Sequence, residues 1–187
     1  IKIIAKHAHW VHTLDREKVI KKLNSECESI DKIMNAFIQV NISNEDTKNG
    51  CNPKDLIEIG KLVESMRNIN LKGLMALPRL NSDLVERKRA MSLVKELSLK
   101  LQSINNIPVY GAIGGFHLFK ASDQLIDKTA NWLKNQGMTK FMGGHCTGIY
   151  AAERVADIIG ISRENLSHTA IGSVLTKDLV IQRSSVE

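Results

Sequence analysis

The chain is poor in aromatic residues: four Phe, two Tyr and two Trp make up 4% of its 187 positions. It has only three prolines and three cysteines. No apolar run approaches the roughly 20 residues that cross a bilayer, so no membrane partner is expected. Cys27, Cys51 and Cys146 are too scattered for a disulfide framework. Ile1–Lys6 is too short and too charged for a secretory signal, so the expected location is cytoplasmic. There is no aromatic platform and no basic cluster. The net charge is +6, but lysines and arginines alternate with acids along the helical faces. Nucleic-acid binding is therefore not expected, whereas a small-molecule or phosphate ligand is compatible with this composition.

What the chain does have is alternation. Phe37, Ile38, Val40 and Ile42 form a short β-branched run without helical spacing, which predicts a strand over Ala36–Ser43. The polar stretch Ser43–Gly50 follows, and Pro53 opens an amphipathic helix to Asn68. This is half of a βα unit, and the loop after a strand's carboxyl end is where α/β folds seat ligands. Before it, Trp10–Leu14 reads as a strand. Asp15 is placed to cap a helix over Arg16–Asn24, and Ser29–Asn35 reads as a further helical turn. After it come a strand at Leu71–Leu77 and a long helix from Ser82 or Asp83 to Ser103. Further strands are expected at Pro108–Gly115, Lys140–Gly144, His168–Leu175 and Leu179–Gln182. Helices are expected over Ser122–Asn135, with Gly137 as its stop, and over Thr147–Ile159, ended by Gly160. The expected fold is α/β, one domain over 1–187. Its sheet would be mainly parallel with about six strands, either open or a partial barrel.

Residues 1–103 carry a specific resemblance. HWVHTLDREKVIKKLN, FIQVNISNEDTKNG and LKGLMALP, in that order and spacing, resemble the pyridoxal-phosphate homeostasis protein family. The resemblance implies a middle slice of an alanine-racemase-like barrel. It also implies pyridoxal phosphate held as a Schiff base on a lysine, without established turnover chemistry. Carried over, Asn41 and Met75 lie at strand ends near the cofactor, and His12 and Thr13 end the preceding strand. The family's cofactor lysine and its later phosphate-cradling segments fall outside the matching slice. Lys48 and Lys72 are expected at the surface, so no Schiff-base lysine is nominated.

Residues 107–180 carry a second resemblance. IPVYGAIGGFHLFKASD, GMTKFMGGHCTGIYAAERVADIIG and SHTAIGSVL resemble the C-terminal part of a metallo-β-lactamase-fold hydrolase. The nearest subgroup is the one described as a dihydropterin-ribofuranosyl-aminobenzene phosphate synthase. The resemblance implies zinc, with His145 as the first ligand candidate and His117 as the next. The metal would lower the pKa of a bound water. His7, His9 and His12 have HxHxxH spacing, but Val11 replaces the Asp expected for a second metal; His168 is expected to be structural. Gly114-Gly115 and Gly143-Gly144 each follow a strand and precede a helix, so they either cradle an anion or simply make tight turns. Cys146 is either a reactive thiol or a small packed residue.

The two resemblances exchange near residues 104–107, and the whole reads as a chimera. Three functions stay open: a non-catalytic, B6-homeostasis-like protein with weak or lost cofactor binding, a metal-dependent hydrolase remnant, and a scaffold without activity.

Overall fold

The computed structural model describes residues 1–45, 47–79, 84–106, 111–168, 174–176 and 180–182. The chain divides into two compact units, Ile1–Ile107 and Pro108–Glu187, where a single domain over 1–187 was expected. Both units are α/β with a three-stranded parallel sheet, the second adding an antiparallel pair, and among the described residues neither sheet closes into a barrel.

The first unit is built on three parallel strands, β1 (Trp10–Leu14), β2 (Met34–Val40) and β3 (Ile69–Ala76), in the order β1-β2-β3. One face of the central strand explains this layer. Met34, Ala36, Ile38 and Val40 alternate along it and are all buried. Helix α2 (Glu17–Glu28) places Ile20, Leu23 and Cys27 on one side, and all three are buried. Helix α3 (Leu56–Glu64) buries Leu56, Gly60 and Val63, and helix α4 (Leu84–Asn105) adds Leu97 and Leu101. A Cβ on Gly60 would stand 2.5 Å from Ile104 Cδ1, so the side chains of α4 pack directly on this bare position of α3.

Two bulges shape the sheet. Register shifts between Val11 and Leu14 on β1, and at Ala36/Phe37 where β2 meets β3. The second shift sets Gly73, at φ +147°, opposite Phe37, whose ring lies over it. Trp10 stacks on Phe37 with centroids 5.4 Å apart, and His12 meets Phe37 edge-on at 5.1 Å. The N-terminal helix α1 (Lys2–His7) is only six residues long. Lys32 Nζ donates to the carbonyls of Ala5, Lys6 and Ala8, filling acceptors that a helix end leaves open.

The second unit repeats the pattern with β4 (Gly111–Gly114), β5 (Lys140–Gly143) and β6 (Leu166–His168), parallel and in the order β4-β5-β6. Helix α5 (Asp123–Asn135) buries Ile126, Ala130 and Leu133, and helix α6 (Ile149–Ile159) buries Ala151, Ala152, Val155 and Ala156. Arg154 clamps the two helices together. Its Nε and Nη2 reach the two carboxylate oxygens of Asp127 at 2.5 and 2.9 Å. Beyond β6, β7 (Val174–Leu175) and β8 (Ile181–Gln182) pair antiparallel.

Several sequence boundaries move. Asp15 does not cap α2: it pairs with Arg16 at 3.1 Å, and Arg16 occupies the cap position without a side-chain bond. Helix α2 runs on to Glu28, and the expected turn over Ser29–Asn35 gives way to strand from Met34. Pro53–Asp55 is a 3₁₀ turn whose cap, Asn52, accepts from the Lys54 N–H, and the α-helix proper starts at Leu56. Helix α6 starts at Ile149 rather than Thr147, because Gly148 at φ +78° cannot be its first turn. Gly137 and Gly160 adopt φ +75° and +84° after α5 and α6, as stops. The proposed cap at Ser82 or Asp83 and the start of the strand at Pro108 lie outside the described residues, as does the turn over 177–178.

Candidate functional site

The carboxyl end of β2 holds a connected polar structure. The backbone leaves the strand at Val40, makes a loop, and returns at Cys51 to form a parallel bridge with Val40. The Asn41 N–H donates to the Cys51 carbonyl at 3.0 Å, and the Cys51 N–H donates to the Gln39 carbonyl at 2.9 Å. Gly50 closes the loop at φ +125°, and a Cβ there would meet the Asn41 nitrogen at 2.7 Å.

Two strand-end amides fill the loop from within. Gln39 is only 9% exposed, and its Nε2 donates to the Asn49 carbonyl at 2.9 Å. Asn41 Nδ2 donates to the Glu45 carbonyl at 2.9 Å, and Ser43 Oγ lies 3.3 Å from Asn41 Oδ1. Such satisfied amides are what allow a loop to fold over a strand end without stranded backbone groups. The loop is then tied to the end of β3. Lys48 Nζ sits 2.7 Å from Glu45 Oε2 and donates to the Pro78 carbonyl at 2.9 Å. Arg79 Nε approaches Glu45 Oε1 at 3.5 Å. Hydrogen bonds from Lys48 and then Ser43 hold the Glu45 carboxyl below the usual carboxylate range.

A cavity of about 240 Å³ lies here, lined by Gln39, Val40 and Asn41 from the strand end, Thr47, Lys48 and Asn49 from the loop, and Leu77 beyond β3. That is just below the ~300–1,000 Å³ of drug-sized ligand sites, so it suits only a small molecule.

Of the four cofactor residues expected from sequence, Asn41 alone lines this cavity. Met75 is half-buried and pairs in register with Gln39, but it is not in the wall. His12 is exposed and belongs to the Trp10–Phe37 cluster, and Thr13 is exposed. The bulge in β1 accompanies that placement. Lys72 is exposed as expected, whereas Lys48 is not a free surface residue: its side chain is 28% exposed and engaged at both acceptors. Gln39, Thr47, Lys48 and Asn49 were missed as lining residues. Their signal was a polar Gln and Asn alternating at the end of an apolar strand, followed by a short polar loop with one lysine.

The glycine pairs of the second unit make turns. The Gly144 N–H is committed to the Gly114 carbonyl at 2.6 Å, so it does not point at an anion. Thr147 is fully buried; its Oγ1 accepts from the Phe116 N–H at 3.1 Å and lies 3.5 Å from the Gly114 carbonyl. Cys146 packs on Gly115, where a Cβ would meet its Sγ. His117, at φ +53°, and His145 are both exposed, as are His7 and His9. Among the described residues no three or more His, Cys, Asp or Glu side chains gather where they could hold a metal ion. Burial pushes the Cys51 thiol up to about 11 and raises that of Cys27, so neither is a ready nucleophile.

The fit to pyridoxal phosphate is partial. The cavity offers amide, hydroxyl and ammonium groups at strand ends, but its lysine nitrogen already donates to a carboxylate and a carbonyl. Among the described residues no helix is long and apolar enough to cross a membrane.

Comparison with known proteins bears on the first unit. The chain is 35% identical over 101 residues to the pyridoxal phosphate homeostasis protein of Pasteurella multocida, covering 54% of this chain and 43% of that one. It is 32% identical over 103 residues to the protein of the same name from Haemophilus influenzae, covering 55% and 44%. The chain thus spans less than half the length of these relatives. Among solved structures, PipY of Synechococcus elongatus with PLP bound superposes with a TM-score of 0.50 at 14% identity, over 76% of this chain and 53% of that one. That likeness is one of fold. The expected hydrolase segment over 107–180 and the chimeric origin gain no support from these matches. A profile of the alanine racemase N-terminal domain matches residues 1–110, more than half of the sequence, and the chain belongs to that family.

Proposed function

We propose that this chain is a pyridoxal-phosphate-homeostasis-like protein that performs no turnover chemistry and holds the cofactor weakly, at the carboxyl ends of β2 and β3. The observation that carries the reading is the state of Lys48. A Schiff base needs an amine free to attack, and Lys48 Nζ is instead engaged by Glu45 and Pro78. Pyridoxal phosphate supplies an electrophilic aldehyde and an electron-withdrawing ring when bound. In this chain Asn41 and Gln39 brace the loop, Thr47 and Asn49 offer polar contacts, and Lys48 supplies a positive charge toward an anionic group. Asn41 stays in the proposed set, with Met75, His12 and Thr13 as supports of the neighbouring strands.

The test is a visible absorbance spectrum after incubation with pyridoxal phosphate, followed by dialysis and by borohydride reduction with peptide mapping. The expected outcome is cofactor that dialyses away and leaves little trapped adduct. A lysine trapped in stoichiometric amount, with absorbance that survives dialysis, would overturn weak binding.

A second reading keeps His117 and His145 as metal ligands of a hydrolase remnant. One observation favours it: their loops leave adjacent strands paired at Gly114 and Gly143. Two histidines make half of a tetrahedral site, so we place it second. Zinc bound in stoichiometric amount and lost in His145→Ala would promote it; a metal-free protein indifferent to added zinc would remove it.

A further inference from the structure

The loop that closes the cavity contains Asn49-Gly50, and no other asparagine of the chain precedes a glycine. An asparagine can convert itself when the next backbone nitrogen attacks its side-chain carbonyl. Four conditions favour this: access to water, a following residue without a side chain, an unengaged backbone N–H, and a side-chain amide free to turn. Asn49 is exposed and Gly50 offers no steric block. Among the described residues the Gly50 N–H donates no hydrogen bond, and the Asn49 carboxamide has no partner; only its backbone carbonyl is used, by Gln39. Asn35, Asn44, Asn70, Asn106 and Asn135 also leave their carboxamides unengaged among the described residues, but none of them precedes a glycine. The side-chain amides of Asn41, Asn68, Asn131 and Asn165 all donate, and those of Asn24 and Asn52 accept.

We propose that Asn49 is a self-modification site, converted to aspartate and isoaspartate through a cyclic imide formed with the Gly50 nitrogen. The Gly50 nitrogen gives its proton to solvent and forms a bond to Asn49 Cγ, and the Cγ–Nδ2 bond breaks to release ammonia. Water then opens the five-membered imide at either carbonyl. The sum is carboxamide plus water giving carboxylate and ammonium, with no change of oxidation state. Opening at one carbonyl leaves the main chain intact and adds only a negative charge to the wall that also holds Lys48. Opening at the other inserts a carbon into the main chain just before Gly50. That glycine has no slack, since the end of β2 already lies within Cβ reach of it. The isoaspartyl form therefore pulls Cys51 away from Gln39 and Asn41. Both products disfavour an anionic ligand, a consequence that rests on the cofactor reading above; the conversion itself does not.

The test ages the full folded chain in mildly alkaline buffer at body temperature, beside the same chain in urea, with tryptic peptide mapping. The expected result is the mass gain of an amide-to-acid exchange appearing at Asn49 before any other asparagine, as fast in the folded chain as in urea. An isoaspartyl methyltransferase should label the product, and Asn49→Gln, whose ring would be six-membered, should lose the gain. Asn49 intact in the folded chain while the urea sample converts would overturn the proposal, as would earlier conversion elsewhere. Equilibrium binding of pyridoxal phosphate, read as a saturable absorbance change without dialysis, is compared separately in the parent chain and in Asn49→Asp. If conversion proceeds as expected and neither form shows saturable binding, the self-modification stands and the cofactor reading falls.

Discussion

Gly50 sits against Asn41 so closely that a Cβ would approach the Asn41 nitrogen to 2.7 Å and the Val40 carbonyl carbon to 2.9 Å. Both atoms are backbone at the end of a buried strand, so neither can move aside. Gly50→Ala also forces a side chain into φ +125°. The expected loss is about 1–3 kcal/mol for the backbone strain alone. A urea titration should show a lower midpoint with an unchanged slope.

The Glu45 carboxyl gives a pH dependence of definite sign. Its folded pKa is depressed by the Lys48 hydrogen bond, then by that of Ser43. A depressed acid binds fewer protons folded than unfolded, so its stabilisation is present above the unfolded value of about 4.3. It is lost as pH falls from there through the lower folded value. Hydrogen exchange at the Cys51 amide should quicken across that acid window in the parent protein and not in Glu45→Gln.

Phe37 joins Trp10, His12 and Gly73 on the sheet face opposite the α2 and α3 packing. Its ring is only half-buried, so Phe37→Ala should cost about 2 kcal/mol, below the 3–5 of a full core deletion. Trp10 emission should shift to the red as its stacking partner disappears. Trp132, in the other unit, serves as the internal reference.

In the second unit, Thr147→Val keeps the side-chain volume and removes the acceptor of the Phe116 N–H. A buried donor left without a partner costs about 1–3 kcal/mol. The melting of residues 108–187 should fall, and exchange at the Phe116 amide should rise. Arg154→Ala should lower the melting of the same unit by releasing Asp127 from α6, without touching that amide.

The layered architecture was legible because burial leaves a periodic trace. Ile20, Leu23 and Cys27 recur at helical spacing, and Ile38 with Val40 at strand spacing, so α2 and β2 could be placed from sequence. Their ends were less legible: at Pro53 a 3₁₀ turn replaces the first helical turn, and at Asp15 a neighbouring arginine competes for the cap. The candidate site was harder still. Lys48 looks like any loop lysine, because its defining acceptor is the carbonyl of Pro78, thirty residues away and without a side-chain signature. His12 looked like a strand-end ligand, yet a one-residue change of register on β1 sets it beside rings instead. The histidines at 117 and 145 have suggestive neighbours in the sequence, but spacing cannot say whether their side chains converge.

The grip of Lys32 on α1 reaches beyond packing. Intrahelical bonds alone hold a short helix weakly in water, so an amine on a distant turn helps keep the carboxyl end of α1 wound. Acylating that amine would remove two of its three donors and its charge at once. The last turn of α1 would then loosen over Ala5, which the core still holds.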